Sequence, residues 1–511
     1  MSTINDFNES SLAEAFVNQR LQDHFLWSPE LGWLEWDGKR WAHTVMDRVK
    51  EVGRQWVLSN YENTAQALAD RAQKGVTDKT AEEALRLWRG YTYNSRLRAL
   101  VSLAQGMLLR DGEDFDADPD LFNCANGIID LRTGELLEHD PEALMTKISD
   151  VEYQPDAIHP DWDAALSALP DDAREWYQIR AGQGLTGYTP NDDRVVVQFG
   201  SGANGKSCII AGIRAAAGEY YHLISPRALL ADPSAHPTEI AAFKGARVAF
   251  LDELPDEKRI NMANIKRLVG SEQVTGRFIG RDSVTFDITW SMFLNTNHLQ
   301  GVTETDTATW RRLYLLPFTK HFVETADEVK SPADILADSG LRPRIRMGKE
   351  GQHEAALAWM VKGAGKWYAN GGVASPETAF PPPPESVVVA TREWRKSSDH
   401  ILRFISDHLE FDANSYILVS DLRPEFNKWM EDQGHRVYTE QTFNARFTDH
   451  DIVRDNNVLK KTIRSTTPGR SQPPALAAAQ VGWRREYGNL PSETYDKQPQ
   501  TCKAWLGVRF R

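Results

Sequence analysis

Gly200-Ser201-Gly202-Ala203-Asn204-Gly205-Lys206-Ser207 follows directly on the apolar run Arg194-Val195-Val196-Val197-Gln198-Phe199, and this junction decides how the chain is read. The apolar run predicts a buried strand, and the glycine-rich turn after it predicts a loop that feeds a helix. The G-x-x-x-x-G-K-[ST] spacing is demanding. Its glycines let backbone N–H groups converge on one concavity, Lys206 reaches the β and γ phosphates of a nucleoside triphosphate, and the Ser207 hydroxyl meets Mg2+. A helix starting near Gly205 adds the positive end of its dipole.

Three further apolar runs carry the polar groups such a site needs. Arg247-Val248-Ala249-Phe250-Leu251-Asp252-Glu253 reads as a strand ending in two carboxylates. Asp252 is placed to bind Mg2+ and Glu253 to polarise the water that attacks the γ-phosphate. The run from Trp290 to His298 ends in amides, of which Asn297 is the candidate for positioning that water; the alternative is an Asn that caps a turn. In Asp306 to Phe318 the pair Arg311 and Arg312 precedes a strand. An arginine there could neutralise the transferring phosphoryl group from a neighbouring subunit. A surface ion pair is the alternative, and it weighs more on Arg311 than on Arg312. Between the second and third motifs, Ile265 to Phe286 reads as a hairpin whose tip carries Arg281, with Lys266 and Arg277 alongside. In a ring such tips would hold single-stranded backbone; outside one they would be a charged surface hairpin.

At 511 residues and 41% hydrophobic content the chain is long enough for several domains of roughly 150 residues. The start of the chain lacks the basic-then-apolar order of a secretory signal, and no run approaches the roughly 18 apolar residues of a membrane helix, so a cytoplasmic protein without membrane contact is expected. Cys124, Cys208 and Cys502 are too scattered for a zinc module or a disulfide framework. The formal net charge of -13 gives no global attraction to DNA, so any contact must come from local basic clusters.

The flanks read as follows. Trp33 to Trp41, around Asp37-Gly38, predicts a tight hairpin; about 45–109 is helical by pattern; Leu121 to Leu136 predicts two short strands with turns at Asn126-Gly127 and Thr133-Gly134. Helices are expected near 171–187 and over 354–370, the second ended by Gly371-Gly372, and Pro381 to Pro384 predict a stiff connector. Beyond it, Ser398 and Ser420 are expected to cap helices, a third helix runs from about Thr439 to Thr448, and Ile452 to Ile463 predicts a basic hairpin offering Arg454, Lys460, Lys461 and Arg464. Helices closed by such a hairpin suggest a winged helix, with a DNA-contacting edge as one role and a solvated edge that blocks strand aggregation as the other. The resulting division is an α+β accessory domain (1–170), an α/β nucleotide-binding core (171–325), a helical connector (326–394), a winged helix (395–465) and a tail (466–511).

The ordered series GSGANGKS, RVAFLDE, IKRLVGSEQVTGRFIGRDSVTF, SMFLNTNH and DTATWRRLYLLPF resembles superfamily 3 helicases, in particular the helicase half of phage and plasmid primase-helicases related to the poxvirus-type replicative ATPase. LFNCANGIIDLRTGELLEHDP and WLEWDGKRW are similar to that family's accessory region, and 395–465 to its winged helix. The resemblance implies an AAA+-like core, a homohexameric ring, and 3′ to 5′ translocation on single-stranded or forked DNA driven by ATP with Mg2+. It implies phosphate and metal roles for Lys206 and Ser207, second-motif roles for Asp252 and Glu253, a sensor role for Asn297, a trans arginine at Arg312 with Arg311 its rival, and DNA contacts from Lys266, Arg277 and Arg281. Many relatives also carry a primase domain with a metal-binding aspartate pair on a strand. Asp114-Phe115-Asp116 sits instead in a polar turn, so a separate primase or polymerase partner is expected. A helicase loader or DNA-bound switch without processive unwinding is the competing function.

Overall fold

A computed structural model of the chain describes residues 8–229, 237–252, 261–277, 283–299, 302, 307–464 and 501–511. Its centre is a five-stranded sheet in the spatial order Leu313–Pro317, Val195–Phe199, Ser291–Thr296, Val248–Leu251, Tyr221–Leu223. Every pairing in it is parallel, so the fold is mixed α/β. Strands covered on both faces must be apolar on both, and Val248–Leu251 and Ser291–Thr296 are buried at every position. Their side chains alternate between two cores. Val196, Phe250, Phe293 and Leu316 face one, and Val195, Val197, Leu251, Leu294 and Leu315 face the other. The first core is covered by helices Arg174–Gln183, Lys206–Ala217 and Gln352–Ala369, which supply Tyr177, Ile209, Ile213 and Met360. Helix Glu385–Ser398 closes the outer edge, where the Thr391 hydroxyl accepts the Leu315 N–H at 2.9 Å and Trp394 packs edge-on to Trp310.

Within the helical stretch expected over 45–109 the chain forms three helices, Met46–Gln73, Lys79–Tyr91 and Asn94–Met107. The first stops at Gly75, whose φ of +72° a helix cannot continue through. The Asp37-Gly38 hairpin forms: Trp36 pairs with Trp41, and the Asp37 carboxylate accepts the N–H groups of Lys39 and Arg40, both at 2.9 Å. Leu121–Cys124, Gly127–Asp130 and Glu135–Leu137 make three antiparallel strands where two were expected. Asp114 and Asp116 lie in a turn, and Asp116 accepts the Thr146 N–H at 2.8 Å. Arg247 ties this region to the core. Only 3% exposed, it lies over the Tyr220 ring and donates to the carbonyls of Leu121 at 2.6 Å and Leu185 at 2.8 Å, which meets the requirement that a buried charge be hydrogen-bonded.

The C-terminal unit differs from its sequence reading in three places. Ser398 ends helix Glu385–Ser398, and the next helix, His400–His408, is capped by Asp399, which accepts the Leu402 N–H at 3.0 Å. A carboxylate serves better here than a hydroxyl because its second oxygen meets the buried His450 ring at 2.9 Å. Helix Val419–Asp432 starts before Ser420 and has no side-chain cap, whereas Thr439 does cap Glu440–Asp449. The hairpin expected over Ile452 to Ile463 does not form. His450 accepts the Ile452 N–H and starts a short helix, Asp451–Asp455. Strand Leu459–Arg464 pairs instead with Thr501–Phe510, which runs between it and Leu409–Leu418. Residues 501–511, set apart as tail by sequence, thus supply the middle strand, with Trp505 fully buried.

Candidate active site

The Gly200–Ser207 loop leaves its strand at the carboxyl edge of the parallel sheet, where ligands of open α/β sheets bind. Gly202, Ala203 and Gly205 all have positive φ, +109°, +49° and +80°, a run that turns successive N–H groups toward one concavity. Both flanks of the loop are fastened. Gly200 N–H donates to the Thr296 carbonyl at 3.3 Å, and Phe322 N–H to the Ala203 carbonyl at 2.8 Å. Asn204, 6% exposed, accepts the Gly202 N–H at 2.8 Å and donates to the Lys320 carbonyl at 2.6 Å. Gly205 sits where a Cβ would come within 2.6 Å of the Ala168 Cβ.

Lys206 opens helix Lys206–Ala217, and its ammonium lies among three oxygens: the Gly200 carbonyl, the Thr296 carbonyl at 3.4 Å and Asn297 Oδ1 at 2.9 Å. Phosphate oxygens are acceptors of the same kind. Asn297 reaches Lys206 because its strand lies between the loop strand and the Val248–Leu251 strand, in register Thr296 to Phe199 and Leu294 to Leu251. That register also sets Asn295 beside Asp252, with Asn295 Nδ2 3.4 Å from Asp252 Oδ1. Asn295 is 4% exposed, and its Oδ1 has no hydrogen-bond partner among the described residues. An Asn inside an otherwise apolar buried strand was the available signal for this residue, since buried amides need partners. Asp252 and Ser207 are both exposed oxygen groups, the donor type Mg2+ takes. Glu253 lies outside the described residues.

The arginines stand elsewhere. Val195 N–H donates to the Arg312 carbonyl at 2.8 Å, and Leu313 pairs in parallel with Val195, so Arg311 and Arg312 lie at the amino edge of the sheet. The loop begins one strand length away, roughly 16 Å for five residues at about 3.3 Å each. The Arg312 side chain is 12% exposed and lies 3.6 Å from Asp193, whereas Arg311 is exposed. Lys266 is half-buried on helix Met262–Val269. Arg277 is exposed opposite Ser283, on the last described rung of hairpin Gln273–Arg277 and Ser283–Asp287. Arg281 falls outside the described residues. Gly276 seats the hairpin, because a Cβ there would meet the Ala241 backbone at 2.5 Å. Lys460 and Lys461 are exposed on the C-terminal sheet, Lys460 over the Trp505 ring. Partial burial and the nearby Lys503 lower the Lys460 pKa. Of the sequence candidates, then, the fold gathers the loop, Asp252 and Asn297 at one edge, and the basic residues into other regions.

Residues 14–169 match the family described as D5 N terminal like. The chain is similar to a putative helicase of Acanthamoeba polyphaga mimivirus, 25% identical over 455 residues that cover 81% of this chain and 44% of that one. A putative helicase of Frog virus 3 is 24% identical over 396 residues, 62% of this chain and 39% of the relative. A putative primase of African swine fever virus is 23% identical over 317 residues, 58% and 31%. The chain spans less than half the length of each of these relatives. Among solved structures, the apo C terminal region of NrS-1 overlays with a TM-score of 0.39 at 10% identity, over 78% of this chain and 85% of that one. Among the described residues no helix is long and apolar enough to cross a membrane.

Proposed function

We propose that this chain is an ATP-driven replicative DNA helicase of superfamily 3, with an AAA+-like core, acting as a homohexameric ring that moves 3′ to 5′ on single-stranded DNA. The observation that carries the reading is the seat of Lys206. Its ammonium rests on carbonyl and amide oxygens at the carboxyl edge of the sheet, beside Asn297 and on the same edge as Asp252. An incoming triphosphate would exchange its own oxygens for those acceptors. Ser207 and Asp252 would hold Mg2+, which when bound neutralises charge on the β and γ phosphates. Asn295 Oδ1, next to Asp252 and without a partner among the described residues, fits this assignment, because a water there could donate to it. Glu253, next in sequence, is assigned to polarise the attacking water. The water's oxygen would bond to the γ phosphorus and pass a proton to the Glu253 carboxylate while the bond from that phosphorus to the β-γ bridging oxygen breaks, leaving ADP and inorganic phosphate.

Burning ATP between subunits accounts for the arginines. At the amino edge of the sheet neither Arg311 nor Arg312 can serve the loop of its own chain, so an adjacent protomer is the available customer for that charge. Arg311 is exposed and Arg312 is held near Asp193, which favours Arg311 as the trans residue. The three-stranded C-terminal sheet with its helices fits a winged helix, and Lys266, Arg277, Arg281, Lys460 and Lys461 are assigned to DNA. The names of the viral relatives support a helicase over a metabolic enzyme. Primer synthesis is assigned to a partner.

Lys206→Ala tests the core of this reading. ATP hydrolysis and strand displacement by the purified variant should fall at least about 100-fold, with the fold unchanged by circular dichroism. Normal unwinding by that variant would refute it. Particle mass with and without nucleotide and single-stranded DNA tests the ring, and a particle that stays monomeric with both would exclude it.

A further inference from the structure

Away from the nucleotide loop, a cavity of about 640 Å³ opens in the segment that matches the D5 N terminal like family. It lies on the seam between two apolar cores. Val17, Phe25 and Leu108 come to it from the helical core, and Leu26, Trp41 and Leu144 from the smaller core beside it. The Trp41 indole donates to the Pro141 carbonyl at 2.8 Å, and both residues line the cavity. Its volume falls in the range of about 300–1,000 Å³ that binding sites occupy.

The walls are built from backbone that regular structure would not use. After helix Glu9–Phe16 the chain widens into a π turn over Val17–Leu21, and the Gln22 N–H donates to the Val17 carbonyl at 2.8 Å. Such turns are rare and gather at functional sites. Asp23, which follows, has φ +66°, and Leu144, from the other core, has φ +48°. An aspartate tolerates this left-handed region, whereas a leucine enters it only where its surroundings hold it there. The mouth carries charge of one sign. Glu14, Asp23 and Glu142 line the cavity, are exposed, and form no ion pair among the described residues. Among those residues Arg110 is the one cation in the lining, and its guanidinium turns to the Leu109 carbonyl at 3.2 Å. Arg20 and His24, close by in sequence, do not line it. Met107, 43% exposed, ends helix Asn94–Met107 at the same mouth. Its flexible thioether suits a surface that must fit an incoming side chain.

We propose that this cavity docks a basic segment of a partner protein, with one aliphatic or aromatic side chain seated on its apolar floor and lysines or arginines meeting Glu14, Asp23 and Glu142 at its mouth. The sign of the charge selects the class. A phosphate backbone would face three carboxylates against one arginine, which repels it, whereas a cationic segment gains at each carboxylate. Those carboxylates stand on separate elements: helix Glu9–Phe16, the turn before strand Phe25–Ser28, and the short helix Pro141–Ala143. Charges spread in this way match a chain carrying several cations better than one small cation. A buried anchor inside a charged rim is also how a peptide gains both affinity and register. The site shares no residue with the nucleotide loop, so it stands or falls apart from that reading.

The test uses the full chain and short fluorescein-labelled peptides in which lysine alternates with leucine around one tryptophan, read by polarisation. Two analogues run beside them, one with glutamate for lysine and one with serine for the apolar residues. The lysine peptide should bind saturably and more weakly as salt rises, and each analogue should bind at least about fivefold less well. Glu14→Gln/Glu142→Gln should weaken the lysine peptide about fivefold or more, and Met107→Lys, which sets a like charge at the mouth, should do as much. Met46→Lys is the control. Met46 is 41% exposed and lies outside the lining, and the substitution changes the charge of the chain equally, so affinity should stay within about twofold. Melting temperature, particle mass and single-stranded DNA affinity should be unchanged in all three variants. No binding of the lysine peptide, equal binding of the glutamate peptide, or equal losses for Met46→Lys and Met107→Lys overturns the proposal. A change in DNA affinity confined to the cavity variants would assign the cavity to nucleic acid, and a change in particle mass would assign it to a second copy of this chain; either overturns it too.

Discussion

Gly205→Ala should damage the candidate site through two separable effects. The residue has φ +80°, where an L side chain costs about 1–2 kcal/mol. Its new Cβ would stand 2.6 Å from the Ala168 Cβ and 3.0 Å from Phe322 Cε2, well inside the roughly 3.5–4.0 Å at which two carbons are comfortable. Forcing a methyl into a packed place costs a further 1–3 kcal/mol or so, for a total of about 2–5 kcal/mol. Gly434 provides the control, since its φ of +73° is similar and nothing lies within 4 Å of an added Cβ. Gly434→Ala should therefore show only the backbone part. Ala168→Gly removes the nearest atom, so in the Gly205→Ala background it should recover about 1 kcal/mol or more by non-additivity. Urea unfolding followed by tryptophan fluorescence measures the stability, and polarisation of a bound ADP analogue measures the loop, since Lys206 moves with its neighbour. Equal losses for Gly205→Ala and Gly434→Ala, or no recovery from Ala168→Gly, would show that the loop is not braced by Ala168 and Phe322 as described.

Two more outcomes are expected. Arg311→Ala should retain nucleotide affinity yet lose hydrolysis by about 10³-fold or more, and mixing it with the inactive Lys206→Ala chain should restore part of the rate, because the mixed ring contains interfaces with an intact loop and an intact arginine. A steady-state ATPase titration reads this, and no recovery at any ratio refutes action across subunits. His222 packs its ring 4.4 Å from that of Phe243, and burial, with help from Lys147, pulls its pKa down to about 4. The folded chain keeps it neutral until about pH 4, whereas the unfolded chain protonates it near 6.5. Between those values the unfolded state binds more protons, so stability should fall on acidification, by at most about 3 kcal/mol and less where water reaches the ring. His222→Phe should flatten that slope in thermal unfolding from pH 7 to 4; an unchanged slope assigns the acid sensitivity elsewhere.

The parts of the site legible from sequence are those whose chemistry is local. Three positive φ angles in six residues, a lysine one residue past the last glycine, and apolar runs ending in Asp252 and Asn297 each state a requirement that a few neighbours satisfy together. The Asp37 turn was legible for the same reason. Where the reading went astray, a residue was chosen by a partner far along the chain. Asp399 displaced Ser398 as a cap because it also holds His450, and Leu459–Arg464 left its expected hairpin for a strand that begins at Thr501. Asn295 was one of the amides that end its run, and the choice between it and Asn297 gave no hint that it would stand beside Asp252.

By itself the sequence determined that a strand, a left-handed glycine turn and a helix would meet around Lys206, since backbone sterics and amphipathic burial act over a handful of residues. Only the tertiary structure decided that Asn297 would lie against that lysine and that Arg311 and Arg312 would stand a strand length away from it. Strand order and helix docking are fixed by which apolar faces fill the two cores without voids, and that is a property of the whole chain packed at once.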